Sequence, residues 1–344
     1  MRGNLNIKTE ITKIHYNKGE KGALVKLLEL ASIFYGIGSR FKNLLYDKNI
    51  LKPKKVDAFV ISVGNITTGG VGKTPVVSEI AGYFISKGEK TAIISRGYGG
   101  KLSNKNINII SDGEKIFYNA RLAGDEPFWL ATNTKGAVVI TSKNRYKASK
   151  YAIEKFGVTK IILDDGFQHR KLHRDLDIVL MDSEKCFGNE KLLPAGPLRE
   201  GTESFKRIDR LVIVSKNTDH AKAEKLARIM SKKMKVQTQV CLTEPDYVYN
   251  IKTGKHLDTG AEITALCAIG QPEQFFKFLK DYKIKAEIVF DDHHIYKEEE
   301  IPQGIIITTE KDAVKMLDFN RTDIYALKLK TVIDIETFLN SSTL

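Results

Sequence analysis

The stretch that decides the fold is Gly64-Asn-Ile-Thr-Thr-Gly-Gly-Val-Gly-Lys-Thr-Pro75, which follows the apolar run Ala58-Phe-Val-Ile-Ser-Val63. An apolar strand, a glycine-rich turn and a Lys-Thr pair that opens a helix are typical of a phosphate-binding loop. Lys73 can reach the β- and γ-phosphates of a nucleotide, and the Thr74 hydroxyl can ligate Mg²⁺. The predicted nucleotide contacts are Gly69, Gly70, Val71, Gly72, Lys73, Thr74 and Pro75.

The loop departs from the usual pattern at one position. Thr67 stands six residues before Lys73, where the pattern has glycine. An ordinary glycine-rich turn between a strand and a helix is the alternative interpretation. The order of strand, glycine cluster, Lys-Thr and helix favours the phosphate-binding loop.

Composition and charge narrow the class of protein. The chain has 344 residues, is 42% hydrophobic and carries a net charge of +13, so it is globular and suits anionic partners. The lysines are scattered, and a solvated Lys-rich surface explains the charge equally well. Cys186, Cys241 and Cys267 lie too far apart for a metal-spaced cluster or a disulfide framework, which fits a reducing cytoplasm. The polar first 20 residues do not resemble a signal peptide.

Residues 24–46 form an apolar segment upstream of the first strand. Leucines and aromatic residues recur at helical spacing, and Lys26, Glu29, Arg40 and Lys42 interrupt them. The uninterrupted apolar run is too short to cross a membrane. The pattern predicts an amphipathic helix lying in a membrane interface, and packing on the protein's own core is the alternative.

Alternating apolar runs and helical patterns predict an α/β fold with a P-loop NTPase-like, doubly wound and mainly parallel sheet. We predict strands at 57–63, 90–95, 136–141, 160–164, 176–181, 209–215, 263–269, 285–290, 304–309 and 323–329. Predicted helices cover 74–87, 124–133, 145–156 and 219–234. The expected organisation is an N-terminal tail (1–21), a P-loop block (22–238), a β-hairpin linker (239–259) and a smaller C-terminal α/β block (260–344).

Several polar stretches follow predicted strands. Asp164 and Asp165 end an apolar strand, where they could hold Mg²⁺ or be solvated strand-end residues. Asp125 opens a helix, and an N-cap is the simpler interpretation; the alternative is a position at the ligand-binding edge of the sheet. Residues 193–200 form a rigid loop that either offers Arg199 and Glu200 to a ligand or is a surface loop with a solvated ion pair. Residues 308–312 either line a cleft or cap a helix.

Seven motifs follow one another along the chain: GNITTGGVGKTP at 64–75, SRGYGG at 95–100, GDEP at 124–127, DDGFQHR at 164–170, PAGPLRE at 194–200, FDDHH at 290–294 and TTEKDA at 308–313. In this order, they resemble the motifs of the tetraacyldisaccharide 4′-kinase family of lipid A assembly. The resemblance covers roughly residues 22–317 and leaves the N-terminal tail without an assigned role.

The resemblance implies phosphorylation of the 4′-hydroxyl of an acylated glucosamine disaccharide 1-phosphate, with ATP and Mg²⁺. It implies catalytic roles for Lys73 and for Asp125, the latter as base paired with a histidine of FDDHH. His293 and His294 are adjacent there, and we choose His293. The implied metal ligands are Thr74, Asp164, Asp165 and Glu200. The implied location is the cytoplasmic face of the bacterial inner membrane, as a peripheral or monotopic protein.

Two other function classes are compatible with a phosphate-binding loop. One is a switch ATPase whose hydrolysis changes binding to a protein or nucleic-acid partner; the other is a nucleic-acid-binding ATPase, supported only by net charge. Neither explains the amphipathic segment. We therefore expect a lipid substrate and a membrane surface as partners, and neither nucleic acid nor an obligate protein partner.

Overall fold

A computed structural model describes residues 10–16, 22–103, 105–216, 220–270, 272–291 and 294–340. Within these ranges a single twelve-stranded sheet runs through the protein. Its neighbouring strands are parallel except in two antiparallel pairs. The mainly parallel, P-loop NTPase-like α/β fold predicted from the sequence is confirmed.

The strands are β1 (Phe59–Asn65), β2 (Thr91–Ser95), β3 (Asn108–Asp112), β4 (Val138–Thr141), β5 (Lys160–Asp164), β6 (Leu176–Asp182), β7 (Arg210–Ser215), β8 (Gln237–Asn250), β9 (Glu262–Cys267), β10 (Lys283–Val289), β11 (Ile306–Thr309) and β12 (Ile324–Val332). Their order across the sheet is β10-β9-β11-β12-β8-β7-β6-β1-β5-β2-β4-β3. The antiparallel pairs are β12 with β8 and β3 with β4. The helices are α1 (residues 10–15), α2 (Ala23–Asp47), α3 (Lys73–Ser86), α4 (Ala120–Ala123), α5 (Asp125–Asn133), α6 (Arg145–Phe156), α7 (His220–Met234), α8 (Pro272–Phe278), α9 (Glu310–Ala313) and α10 (Ile335–Asn340). Short 3₁₀ helices cover Thr202–Arg207 and Glu298–Glu300.

The centre of the sheet is covered on both faces. β6 is buried at every position and β1 at every position after Phe59, as expected of parallel strands between two helical layers. The predicted strands are all found, with ends shifted by a few residues. β3 and β8 are not among the predicted strands. β3, Asn-Ile-Ile-Ser-Asp, has two strand-favouring residues out of five and pairs with β4 at the antiparallel edge, whereas most of β8 falls in the predicted hairpin linker.

The two blocks share β8. This 14-residue strand pairs in parallel with β7 from Gln237 to Leu242 and antiparallel with β12 from Leu242 to Asn250. The predicted hairpin lies at the end of β8, where the Leu257 N–H donates to the Val248 carbonyl (2.9 Å). The connection between the blocks is therefore a continuous strand that leads into the hairpin. The division into separate domains at 239–259 stays a prediction.

Helix α2 turns its apolar side to solvent. Six apolar residues at helical spacing are between 50% and 68% exposed: Leu27, Leu30, Phe34, Ile37, Phe41 and Leu44. The other side rests on the protein, where Ser32 donates to the Leu192 carbonyl (3.0 Å) and Asn43 is buried. The alternative of an apolar face packed on the core is wrong. Within the described ranges, no helix is both long and apolar enough to cross a bilayer.

Part of the N-terminal tail is described and packs on a loop of the P-loop block. The His15 carbonyl accepts from the Asn189 N–H (2.9 Å), and the His15 Nε2 lies 2.9 Å from the Pro194 carbonyl. His15 is 8% exposed. Residues 10–16 therefore support the loop that leads into Arg199 and Glu200.

The turn after β5 approaches β1 so closely that only glycine fits at Gly64. A Cβ placed there would lie 2.6 Å from the Phe167 Cβ and 2.9 Å from its backbone nitrogen. We expect Gly64→Ala to lower the free energy of unfolding by about 1–3 kcal/mol through overpacking, measured by denaturant titration. Gly82→Ala, in the open middle of α3, is the matched control and should be neutral or stabilising. Equal stability of the two variants would contradict this account.

Candidate active site

The phosphate-binding loop joins β1 to α3. Positive φ angles occur at Gly69 (+110°) and at Gly72 (+91°), the residue directly before α3. Thr67 instead forms an antiparallel bridge with Leu198 and is not among the residues with a positive φ angle, so its position does not require glycine. The departure from the usual pattern at Thr67 therefore has a structural reason: the backbone conformations that favour glycine occur further along the loop, at Gly69 and Gly72. Its amides, at the N-terminus of α3, can bind phosphate oxygens.

A second loop is hydrogen-bonded to this one. The Thr68 N–H donates to the Pro197 carbonyl (2.7 Å), and the Arg199 N–H donates to the Ile66 carbonyl (2.7 Å). These bonds bring the Arg199 guanidinium to the Asp165 carboxylate, where Nη1 lies 2.9 Å from both oxygens. The PAGPLRE and DDGFQHR motifs, some 30 residues apart along the chain, thus meet beside the phosphate-binding loop.

Lys73 is held by the last residue of β1 and by the residue that follows β5. Its Nζ lies 3.2 Å from Asn65 Oδ1 and 3.4 Å from Asp165 Oδ1. Burial by itself raises the pKa of Asp165, but Lys73 and Arg199 outweigh it and hold that pKa below its ordinary value. Asp165 therefore stays ionised and fixes both cations at the end of β5.

Asp164 stands at the same strand end but faces the interior. Ser95 donates to its Oδ2 (3.1 Å), whereas its buried Oδ1 has no hydrogen-bond partner. Burial, reinforced by Glu126 and opposed by Lys73, raises the pKa of Asp164 to about 7. An unpartnered buried carboxylate oxygen beside a phosphate-binding loop fits a divalent cation, because a hard cation prefers such oxygen ligands.

Glu200 occupies a different environment. It is 2% exposed, and its carboxylate pairs with Arg207. Over the described parts of the chain, no three acidic, histidine or cysteine side chains converge on a point that could hold a metal ion. Glu200 thus follows Arg199 directly in the sequence, but it pairs with Arg207, whereas Arg199 pairs with Asp165.

Asp125 is the first residue of α5, and Gly124 occupies the N-cap position. The N-cap interpretation of Asp125 is therefore wrong. Its Oδ2 lies 3.1 Å from the Nζ of Lys315, which belongs to the C-terminal block. The next residue, Glu126, pairs with Lys311 of the same block (2.9 Å). The GDEP motif thus lies at the contact between the two blocks.

The FDDHH motif is only partly described. Asp292 and His293 lie outside the described residues, so the predicted pairing of His293 with Asp125 stays a prediction. His294 stacks on Phe290, with ring centroids 4.5 Å apart, and its Nε2 lies 3.0 Å from Glu300. His294 therefore makes its contacts inside the C-terminal block.

The TTEKDA motif does cap a helix. Thr309 is the N-cap of α9, and its hydroxyl accepts from the Asp312 N–H (3.1 Å). Sequence reasoning missed two lysines in and just after this motif. Lys315 pairs with Asp125, and Lys311 pairs with Glu126. Their only sequence signal is their position in and just after TTEKDA, because the partners lie 185 and more residues earlier in the chain.

Comparisons with known proteins agree with this geometry. Residues 24–343 match the family model described as tetraacyldisaccharide-1-P 4′-kinase. The chain is 36% identical over 327 residues to the tetraacyldisaccharide 4′-kinase of Halothermothrix orenii, covering 87% of this chain and 84% of that protein. It is 38% identical over 305 residues to the enzyme of that name from Geobacter metallireducens, covering 85% and 89%.

A crystal structure of LpxK from Aquifex aeolicus in complex with ATP superposes with a TM-score of 0.75. Its sequence is 32% identical, and the match covers 92% of this chain and 97% of that one. The family match over nearly the whole chain and the ATP-bound structural relative agree with the phosphate-binding loop seen here. The chain therefore belongs to the tetraacyldisaccharide 4′-kinase family and is an ATP-dependent kinase of lipid A biosynthesis.

Proposed function

We propose that this kinase transfers the γ-phosphoryl group of ATP to the 4′-hydroxyl of an acylated glucosamine disaccharide 1-phosphate. The observation that carries the proposal is the packing of α2 on the loops of the nucleotide site. Tyr35 donates to the Arg199 carbonyl (2.9 Å), and Lys42 donates to the Gln168 carbonyl (3.0 Å). A helix with an outward apolar face is thus bonded to the loops around Asp165, where a lipid substrate would meet ATP.

Charge neutralisation is the main task of the nucleotide site. Phosphoryl transfer spreads negative charge over the transferred group and needs in-line positioning. In our proposal the amides of residues 69–72 and the Lys73 ammonium bind the phosphates, and Asp165 holds Lys73 in position. Arg199, fixed by the same carboxylate, adds a second cation at the edge of the site.

Thr74 and Asp164 are the residues that would hold Mg²⁺. The ion would supply positive charge at the β- and γ-phosphate oxygens. The fit rests on the unpartnered Oδ1 of Asp164 and on the place of Thr74 in the first turn of α3. Asp165 and Glu200 are the other proposed contributors. Because each already binds an arginine, we assign Asp165 the task of fixing Arg199 beside the phosphates and Glu200 the task of fixing Arg207.

Asp125 is the proposed general base. A sugar hydroxyl is a weak nucleophile, and a carboxylate within hydrogen-bond reach can accept its proton during the transfer. We retain His293 as the proposed partner that orients Asp125. The position of Asp125 between the two blocks would let their closure complete the site and exclude water.

We propose that α2 lies in the membrane interface at the cytoplasmic face of the bacterial inner membrane, where ATP is available. Its exposed apolar residues would enter the acyl region, as in other interfacial helices. Four exposed lysines follow the helix and could contact anionic headgroups: Lys48, Lys52, Lys54 and Lys55. This attachment is peripheral or monotopic.

Three substitutions on the exposed face of α2 test the membrane proposal. We expect Leu30→Gln, Phe34→Gln and Ile37→Gln combined to lower binding to anionic vesicles by tenfold or more, because about 1 kcal/mol of apolar transfer is lost at each position. Flotation measures the binding, and the KM for vesicle-embedded substrate should rise. The triple variant is preferable to a truncation, because α2 also makes polar contacts with the protein.

The matched control replaces two similarly exposed apolar residues elsewhere. Ile229 is 49% exposed and Val289 is 52% exposed. The double variant Ile229→Gln with Val289→Gln should float like the wild type. Equal flotation of the triple variant and the wild type would count against an interfacial α2.

Product identification tests the reaction itself. The purified protein is incubated with radiolabelled ATP, Mg²⁺ and acylated disaccharide 1-phosphate in mixed micelles, and the lipid product is analysed by mass spectrometry and NMR. We expect one phosphate added at the 4′ position. Release of inorganic phosphate without a phosphorylated lipid, or phosphate at another hydroxyl, would contradict the proposal; the first outcome is the one that a switch ATPase predicts.

A further inference from the structure

The C-terminal block contacts α5 at both of its ends. Near the N-terminus of α5, Lys315 lies 3.1 Å from Asp125 and Lys311 lies 2.9 Å from Glu126. At the other end, the Nζ of Lys328 lies 2.7 Å from Asn133 Oδ1. The helix that begins with the proposed base is thus held by lysines of the opposite block.

Lys315 joins two carboxylates, one from each block. Its Nζ is 3.1 Å from Asp125 and 3.1 Å from Asp312, and its side chain is only 9% exposed. Asp312 is fully buried and fixed, since its Oδ2 accepts from the Ala268 N–H (2.9 Å) and from the Thr309 hydroxyl (2.9 Å). The position of the Lys315 ammonium is therefore set by the interior of the C-terminal block.

We infer that Lys315 is a positioning residue for phosphoryl transfer: it aims the Asp125 carboxylate and keeps it ionised when the two blocks are in contact. The inference rests on the proposed role of Asp125 as base. A base must be ionised before it can accept a proton, and a cation at hydrogen-bond distance favours the ionised carboxylate. Because Asp312 anchors Lys315, contact between the blocks would bring the charge to Asp125 in a defined geometry.

Other charged and titratable groups surround this pair. On the C-terminal block they are Asp312 and the Tyr296 hydroxyl; burial, and then Asp312, raise the pKa of Tyr296, to which Asp125 also contributes. Beside Asp125 they are Glu126 and its partner Lys311. The anions oppose ionisation of Asp125. Lys315, at hydrogen-bond distance from Asp125, favours it.

The test compares the pH dependence of two lysine variants. Lys315→Met keeps the length of the aliphatic stem and removes the charge. We expect kcat to fall by about 10- to 100-fold with a smaller change in the KM for ATP, because the base is no longer held in place. The acid limb of the kcat profile should move to higher pH by about one unit, since loss of a nearby cation raises a carboxylate pKa.

Lys328→Met is the matched control. It removes a lysine contact from the far end of α5, so it should lower the melting temperature without moving the acid limb. Lys315→Arg retains the charge and should restore the wild-type acid limb. If Lys315→Met does not fold, Lys315→Gln replaces it in the same comparison with Lys315→Arg.

Three outcomes overturn the inference. One is a folded uncharged variant with wild-type kcat and pH profile; another is an equal shift of the acid limb in Lys328→Met. In both of these cases, loss of activity in Asp125→Asn would leave the proposed base intact. The third is full activity of Asp125→Asn, which would overturn the proposed base together with this inference.

Discussion

Replacing Lys73 by alanine should lower kcat by about 100-fold or more, because the transferred phosphoryl group loses its principal side-chain cation. Lys73 lies at the start of α3, and its Nζ contacts Asn65 and Asp165. Its ammonium is therefore already aimed at the strand ends where we propose that the phosphates bind. Binding of ATP should weaken less than turnover if Lys73 acts mainly on the transition state.

The fold should tolerate this change. Asp165 keeps its ion pair with Arg199 at 2.9 Å, so the substitution does not leave a carboxylate without a cation. The matched control is Lys87→Ala, at the other end of the same helix, where the lysine pairs with Glu336 on the surface. Steady-state kinetics and thermal melts are the measurements. Near-normal turnover of a folded Lys73→Ala protein would disprove the assignment of the nucleotide site.

Replacing Asp125 by asparagine should lower kcat by about 10²- to 10⁴-fold, with a smaller effect on the KM for ATP. The amide has the shape of the carboxylate and can still accept a hydrogen bond from Lys315, but it cannot accept the hydroxyl proton. Because Gly124 holds the N-cap position of α5, the change removes no helix cap. A loss of activity would therefore report on proton transfer. Retention of most activity would disprove the base.

The two histidines of FDDHH can be separated by a double-mutant cycle. If His293 orients Asp125, His293→Ala and Asp125→Asn should be non-additive in kcat, since the two residues act as one unit. His294→Ala is the control, and we expect it to act mainly on stability because His294 binds Glu300 and stacks on Phe290. Simple additivity would refute the coupled pair. A severe effect of His294→Ala on kcat alone would reassign the partner.

Local sequence was sufficient for most of the fold. Parallel strands buried on both faces are continuously apolar. Runs such as Ile161–Leu163 and Ile178–Met181 can therefore be recognised as strands from the sequence. The phosphate-binding loop is also local: one strand, one turn and one helix N-terminus position Lys73 and Thr74. The same holds for α2, whose helical spacing of apolar residues and interrupting charges is visible in the sequence.

Some features depended on contacts between distant parts of the chain. An edge strand such as β3 and a strand shared by two blocks such as β8 are determined by their partners, and their own composition says little about them. Likewise, the sequence predicts an apolar face on α2, but only packing decides whether that face is turned inward or toward solvent. The structure turns it outward by seating the polar side of the helix on the loops of the site.

The difference between what the sequence determines and what the tertiary structure determines is clearest at Asp125. The sequence by itself determined a nucleotide-binding α/β kinase with its phosphate loop and its strand-end carboxylates, because each of those motifs is complete within a dozen residues. Only the tertiary structure decided that Asp125 meets Lys315 and that Gly124, not Asp125, is the cap. The reason is physical: an ion pair depends on distance in space, and residues 190 positions apart carry no local pattern that joins them.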